Sequence, residues 1–135
     1  MKIIIPYRLK SNRFPNKYIS NFLGTSLIEH SLRICQGLGD IIVTAPKDDY
    51  VKEVSDLHLK YEFDFIPTSL ECKSGTDRAI ELSKRFVDDY YVIIPADEPL
   101  IDRHELKRVL SSKLDDFNLC YCDFYDEKDC ITNLS

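Results

Sequence analysis

Short apolar runs alternate with amphipathic stretches along the 135-residue chain. The runs predict five strands, at residues 2–6, 40–44, 62–67, 90–95 and 118–124. Those at 2–6, 40–44 and 90–95 are rich in β-branched residues and contain few polar ones, which is typical of strands buried on both faces of a sheet. Because the first run is apolar without alternation, we expect that strand to lie in the interior of the sheet.

The stretches between the runs carry helix signals. Ser26 and Glu29 have the capping-box spacing, in which the two side chains satisfy free backbone N–H groups of the first turn. Gly37 can end that helix in a left-handed conformation. The inward face of this helix is predicted to contain Leu27, Ile28, Ser31, Ile34 and Cys35. Further helices are predicted at residues 47–55, 74–86 and 102–111.

This order of elements predicts an α/β protein, an α/β/α sandwich whose mainly parallel sheet carries helices on both faces. The length fits one domain spanning residues 1–135. In open parallel sheets, ligands bind beyond the carboxyl ends of the strands. Three loops should meet at that edge, namely residues 7–17, 68–78 and 96–102.

Charge and composition narrow the class of partner. The net charge of −5 and the pI of about 5.2 argue against a surface for nucleic acid or anionic membrane. No apolar run approaches the roughly 20 residues that span a bilayer, and the N-terminus does not have the pattern of a signal peptide. We therefore expect a cytoplasmic protein with no nucleic-acid or membrane partner.

The cysteines and histidines do not have the spacing of a metal site. No two cysteines form a C-x-x-C pair, and the three histidines have no ligand spacing among themselves. Zinc or disulfide roles are the less favoured interpretation, and we expect buried, reduced thiols. The five thiols concerned are Cys35, Cys72, Cys120, Cys122 and Cys130.

The first loop carries four cations and a serine directly after a buried strand. These residues are Arg8, Lys10, Ser11, Arg13 and Lys17. Several converging cations are what a polyphosphate requires, although a solvated basic loop has the same composition. Asn16 tolerates a left-handed backbone and so permits a sharp turn before Lys17. The sequence has neither a P-loop nor a G-x-G-x-x-G pattern.

The second loop ends in Ser74-Gly75-Thr76-Asp77-Arg78. Gly75 removes a side chain where a ligand could approach, and Ser74 or Thr76 can cap the helix that follows. The free N–H groups of a helix start attract anions, but the same residues also form an ordinary helix start. The sequence leaves both interpretations open.

The third loop contains Asp97, just past a buried strand. A carboxylate there can reach a magnesium ion held by substrate phosphates, because magnesium takes only one or two protein carboxylates. The alternative is that Asp97 caps the next helix. Asp102 stands immediately before that helix and fits the capping role better.

Taken together and in order, the three loops resemble those of the CMP-Kdo synthetases (3-deoxy-manno-octulosonate cytidylyltransferases) and, more broadly, of sugar-acid cytidylyltransferases. The family pattern I-P-A-R-x-x-S-x-R-x-P-G-K corresponds to residues 5–17, its S-G-T-D-R signature to residues 74–78, and its D-E-P-L-I stretch to residues 97–101. The resemblance covers nearly the whole chain but about the first half of the family's pattern. It implies a truncated, Rossmann-like nucleotidyltransferase fold.

The resemblance implies transfer of CMP from CTP to an acidic sugar with release of pyrophosphate, as in lipopolysaccharide biosynthesis. Kdo is the expected sugar. The alternatives are a cytidylyltransferase for another acidic sugar, such as a sialic acid, and a catalytically inactive, truncated nucleotide-binding module. Arg8, Lys17 and Asp97 would be the catalytic residues, with Mg²⁺ held by Asp97. The residues implied to bind the nucleotide are Pro6, Tyr7, Arg8, Ser11, Arg13, Lys17, Ser74, Gly75, Thr76, Asp77 and Arg78.

The chain also departs from the family's pattern. Tyr7 replaces a small residue whose backbone contacts cytosine, and Asn16 replaces a glycine. A Cys-Lys pair at 72–73 replaces His-Gln, and a Pro-Ala pair at 95–96 replaces Gln-Gly. We expect the strand at 118–124 to leave an apolar edge that pairs with a second copy or a separate chain. We further expect weak CTP binding with little turnover.

Overall fold

The computed structural model describes residues 1–10, 15–22, 24–86, 91–97 and 101–111. The residues from Met1 to Pro99 form one compact unit, and those from Leu100 onward belong to a second. The predicted strand at 118–124 and the last three cysteines lie outside the described residues.

Six strands are present in the described residues. They are, in chain order, β1 (Lys2–Pro6), β2 (Asn21–Phe22), β3 (Thr25–Ser26), β4 (Asp40–Thr44), β5 (Asp64–Phe65) and β6 (Tyr91–Ile93). Strands β2 and β3 form a small antiparallel hairpin. The other four form a parallel sheet in the order β5-β4-β1-β6, so β1 is an interior strand as predicted.

The centre of the sheet is buried on both faces. Ile3, Ile4 and Ile5 are all fully buried, and consecutive side chains of a strand point to opposite faces. Ile4 packs in a cluster with two residues of helix α3 (Gly75–Ser83), Ala79 and Leu82. This burial explains why the sequence of β1 shows no polar alternation.

The remaining helices in the described residues are α1 (Leu27–Cys35), α2 (Lys52–Ser55) and α4 (Arg103–Ser111), with 3-10 helices at Lys47–Asp49 and Asp56–Leu59. Helix α1 begins as predicted, because the Ser26 side chain accepts a hydrogen bond from the Glu29 N–H at 3.2 Å. It ends before Gly37, whose φ of 77° is left-handed. The described helices include none that is long and apolar enough to cross a membrane.

Several predicted elements are shorter than the sequence indicated. The helix predicted at 74–86 is α3 (Gly75–Ser83), and the strand predicted at 90–95 is regular at Tyr91–Ile93 in the described residues. The predicted helix at 47–55 is broken, because Val51 is extended (φ −92°, ψ 171°) between the first 3-10 helix and α2. The predicted strand at 62–67 is regular only at Asp64–Phe65. Beyond the regular strand, the chain still pairs with the residue after β4, through a hydrogen bond from Thr68 N–H to Ala45 O at 3.0 Å. This strand lies at the edge of the described sheet.

Helix α4 belongs to the second unit and is described by itself. Its start confirms the prediction for Asp102, whose Oδ1 accepts a hydrogen bond from the Glu105 N–H at 2.8 Å. A carboxylate at this position satisfies a free N–H group and complements the positive end of the helix dipole.

Candidate functional site

A cleft of about 320 Å³ opens beyond the carboxyl end of β1. Side chains from all three predicted loops form its wall. The described residues that line it are Pro6, Tyr7, Arg8, Lys17, Tyr18, Cys72, Lys73, Ser74, Gly75, Arg78 and Asp97. The predicted convergence of Arg8, Lys17 and Asp97 on one cleft is confirmed. What these residues bind stays a prediction.

An ion pair joins the first loop to the third across the cleft. Lys17 Nζ lies 3.1 Å from Asp97 Oδ2, with both side chains partly exposed. Burial acts to lower the pKa of Lys17, but the hydrogen bond to Asp97 and the interactions with Tyr18 and the Asp97 charge together outweigh it, so the net pKa is raised. The Lys17 ammonium also lies 5.0 Å from the centre of the Tyr18 ring. Lys17 is therefore a cation throughout the neutral range.

Asn16 has a left-handed backbone conformation immediately before Lys17. Its φ of 60° is left-handed, as predicted, and asparagine adopts this conformation more readily than most residues. The Asn16 N–H donates to Leu9 O at 3.0 Å, which closes the loop at its base. Asn16 O in turn accepts a hydrogen bond from the Ser20 hydroxyl at 2.8 Å. Ser11 and Arg13, both predicted site residues, lie outside the described residues.

The start of α3 is packed closely against the end of β1. A Cβ atom at Gly75 would lie 3.1 Å from Pro6 Cγ, tighter than ordinary van der Waals contact. Glycine thus brings the helix start against Pro6, a role in packing that the sequence did not indicate. Ser74, one of the two predicted caps, is the one observed, since its hydroxyl accepts from the Asp77 N–H at 3.1 Å.

Arg78 lines the cleft although it is almost completely buried, at 3% exposure. Its Nη1 donates to Thr68 Oγ1 at 2.7 Å and to Ser69 O at 3.1 Å. The guanidinium therefore holds the second loop against α3, in addition to lining the cleft.

Two predicted nucleotide-binding residues do not reach the cleft wall. Thr76 and Asp77 are exposed on α3 and are absent from the lining. Gly75 and Arg78 do line it, because residues three apart share one face of a helix. The Asp77 carboxylate accepts a hydrogen bond from the Lys73 N–H at 3.3 Å and so contributes to the loop instead.

Tyr18, Cys72 and Lys73 line the cleft but were not among the predicted site residues. Cys72 and Lys73 lie in the predicted second loop, and Tyr18 directly follows the predicted first loop. Cys72 is a free, half-buried thiol, whereas Cys35 is fully buried, so the prediction of buried thiols was wrong for Cys72. Burial raises the pKa of the Cys72 thiol, and the nearby Glu81 carboxylate raises it further.

Comparison with known proteins identifies the family. The family model described as Cytidylyltransferase matches residues 2–126. A 3-deoxy-manno-octulosonate cytidylyltransferase of Elusimicrobium minutum is 30% identical, over 93% of this chain and 52% of its own. An 8-amino-3,8-dideoxy-manno-octulosonate cytidylyltransferase of Shewanella piezotolerans is 34% identical, over 81% of this chain and 45% of its own. The chain thus spans about half the length of the curated relatives it matches.

Solved structures agree with this assignment. A CMP:2-keto-3-deoxy-manno-octonic acid synthetase complexed with CTP superimposes with a TM-score of 0.66 at 26% identity, over 80% of this chain and 44% of that one. A cytidylyltransferase from Leptospira borgpetersenii, at 21% identity and a TM-score of 0.62 over 78% of this chain and 45% of its own, shows the same fold. The predicted fold class, a Rossmann-like nucleotidyltransferase fold, is confirmed. The chain belongs to the cytidylyltransferase family.

Proposed function

We propose that this chain binds CTP in the cleft and forms the nucleotide-binding part of an enzyme that transfers CMP to an acidic sugar. The observation that carries the proposal is the convergence of Arg8, Lys17 and Asp97 on one cleft at the carboxyl end of β1. The position is the one where open parallel sheets bind their ligands. The relatives named above support the choice of nucleotide and reaction.

The charges of the cleft suit a triphosphate. Four cations line it, namely Arg8, Lys17, Lys73 and Arg78, whereas Asp97 is the one acidic residue among the described lining residues. This local excess contrasts with the net charge of −5 for the chain as a whole. Charge-assisted hydrogen bonds from Arg8 and Lys17 to phosphate oxygens are stronger than those between neutral groups.

The donor set fits a magnesium ion that arrives with the nucleotide. The described residues contain no group of three or more histidine, cysteine or acidic side chains that could hold a metal by themselves. Magnesium bound to substrate phosphates needs only one or two protein carboxylates, and Asp97 supplies one at the cleft wall. When bound, the ion would neutralise charge on the phosphates and on the leaving pyrophosphate.

In the proposed reaction, the anomeric hydroxyl oxygen of the sugar acid attacks the α-phosphorus of CTP. The new oxygen–phosphorus bond forms as the bond to pyrophosphate breaks, and the hydroxyl proton leaves to solvent. The chain would contribute mainly position and charge, with Arg8 and Lys17 orienting the triphosphate for in-line attack. Lys17 would exchange its Asp97 partner for phosphate oxygens when the nucleotide binds.

The sugar is proposed as a class and not as one compound. The relatives include enzymes named for 3-deoxy-manno-octulosonate and for its 8-amino-3,8-dideoxy counterpart, at 30% and 34% identity. Both acceptors are eight-carbon sugar acids of the octulosonate type. We therefore propose an acceptor of this type, with 3-deoxy-manno-octulosonate as the first choice.

The experiment is a calorimetric titration with CTP and Mg²⁺, followed by a pyrophosphate-release assay with a panel of acidic sugars. Lys17→Ala should weaken CTP binding about tenfold or more, because a charged partner of the phosphates is lost. Lys84→Ala removes an exposed lysine away from the cleft and serves as the matched control. Equal CTP affinity in both variants would refute the assignment of Lys17 to the phosphate site. CTP binding by the wild type without pyrophosphate release would support the alternative that the chain is a catalytically inactive nucleotide-binding module.

A further inference from the structure

A buried contact joins the start of the first loop to the 3-10 helix at Lys47–Asp49. We propose that Asp49 is a positioning residue, which fixes the backbone on both sides of Arg8 and so directs the guanidinium into the cleft. This inference rests on the proposed function, because it assumes that Arg8 contacts the phosphates of CTP. It assigns a role to a residue that is absent from the cleft lining.

The contact consists of two hydrogen bonds to one residue. The Tyr7 hydroxyl donates to the backbone oxygen of Asp49 at 2.6 Å. The Leu9 N–H donates to Asp49 Oδ2 at 3.0 Å. Asp49 thereby holds the residue before Arg8 and the residue after it, while Arg8 itself is exposed and lines the cleft.

Burial strengthens these two hydrogen bonds. Tyr7 is 3% exposed and Asp49 is 9% exposed, so both groups are shielded from water. The bond from Leu9 to a carboxylate is charge-assisted, and loss of a partner in a buried site leaves an unsatisfied group. Burial, and secondarily the Asp49 charge, raises the pKa of Tyr7, so its hydroxyl stays protonated and remains a donor.

Two departures from expectation coincide with this contact. Tyr7 stands where the family's pattern has a small residue, and its side chain has a partner in Asp49 at the end of a 3-10 helix. The predicted helix at 47–55 breaks beyond Asp49. Where the helix is interrupted, the Asp49 backbone oxygen and carboxylate accept hydrogen bonds from the first loop.

The test is a double-mutant cycle on CTP affinity, measured by calorimetry with Mg²⁺. Asp49→Ala should weaken binding about tenfold, the size of one charge-assisted hydrogen bond, and Asp49→Asn should recover most of the loss because it keeps an acceptor. In an Arg8→Ala background, Asp49→Ala should cause little further loss, because Asp49 acts through Arg8. Asp48→Ala is the control, since Asp48 is an exposed neighbour on the same 3-10 helix.

Two outcomes would overturn the inference while leaving the proposed function intact. One is a folded Asp49→Ala protein that binds CTP as tightly as the wild type. The other is a loss of the same factor in the Arg8→Ala background, which would indicate a general structural effect. If Asp49→Ala does not fold, Tyr7→Phe replaces it in the cycle, because it removes only the hydroxyl. Absence of CTP binding by the wild type would instead refute the proposed function.

Discussion

The two walls of the cleft are stabilised in opposite ways. On the first-loop wall, buried contacts of Tyr7 and Asp49 hold the backbone, and the cations Arg8 and Lys17 are directed to the opening. On the α3 wall, the cation Arg78 is itself buried and its hydrogen bonds hold the loop before the helix. The charges of Arg8 and Lys17 are available to a ligand, whereas the charge of Arg78 is part of the structure. Substitution of Arg8 or Lys17 should therefore weaken binding, and substitution of Arg78 should lower stability.

The largest effect on stability is expected from Arg78→Ala. The change removes two hydrogen bonds from a buried guanidinium and leaves their acceptors behind. We expect the free energy of unfolding to fall by about 2–4 kcal/mol, measured by urea denaturation. Arg85→Ala is the control, because the exposed Arg85 makes one hydrogen bond to Pro67 O at 3.2 Å. If both variants lost the same stability, the contrast between the walls would disappear.

A smaller effect is expected from Gly75→Ala. The new Cβ would meet Pro6 Cγ at 3.1 Å, so the end of β1 or the start of α3 must shift. Overpacking of this kind costs roughly 1–3 kcal/mol, and the better helix propensity of alanine offsets part of it. We therefore expect a loss of about 1 kcal/mol in thermal unfolding, with weaker CTP binding. Thr76→Ala, at the next and exposed position, should leave both measurements unchanged.

The reactivity of Cys72 tests the electrostatics of the α3 wall. Glu81 Oε2 accepts the Ser69 N–H at 2.8 Å and lies 3.9 Å from Cys72 Sγ. Because burial and the Glu81 charge raise the pKa of the thiol, Glu81→Gln should lower it and increase the thiolate fraction at neutral pH. We expect iodoacetamide to modify Cys72 about two- to threefold faster, measured by peptide mass spectrometry. Buried Cys35 is the internal control, and an unchanged Cys72 rate would show that the Glu81 charge does not contribute to this pKa.

The smallest effect on stability is expected from Lys17→Ala, the variant expected to weaken CTP binding. Its ion pair with Asp97 is partly exposed, and such pairs contribute little because solvent screens them. The free energy of unfolding should change by no more than about 0.5 kcal/mol. A large loss of stability in this variant would mean that Lys17 is a structural cation like Arg78, and that the two walls do not differ as described.

Local signals in the sequence predicted the parts of the fold that depend on local structure. The bounds of β1 and β4, the Ser26 cap and the left-handed Asn16 were all confirmed. Each depends on an apolar run or on the conformational preference of one residue. All three loops could be placed at the cleft because parallel strands end at one sheet edge.

The contacts that sequence reasoning missed join residues far apart in the chain. Asp49 had the local pattern of a helix, and its contacts with Tyr7 and Leu9 cross about 40 positions. The sequence prediction assigned every residue of the 74–78 motif to nucleotide binding. Only some residues of a helix face one surface, and Thr76 and Asp77 are not among those that line the cleft. The packing role of Gly75 depends on Pro6, which no pattern near Gly75 indicates.

The interior position of β1 has a consequence for the order of folding. Strand β1 pairs with β4, from the first third of the chain, and with β6, which begins at Tyr91. Contacts between residues far apart in the chain carry the larger loop-closure cost and tend to form later. Asp97 follows β6 and meets Lys17 across 80 positions, so the ion pair can form only after β6 has docked. The proposed nucleotide site should therefore be completed only when β6 docks, after β1 and β4 have already gained protection from hydrogen exchange.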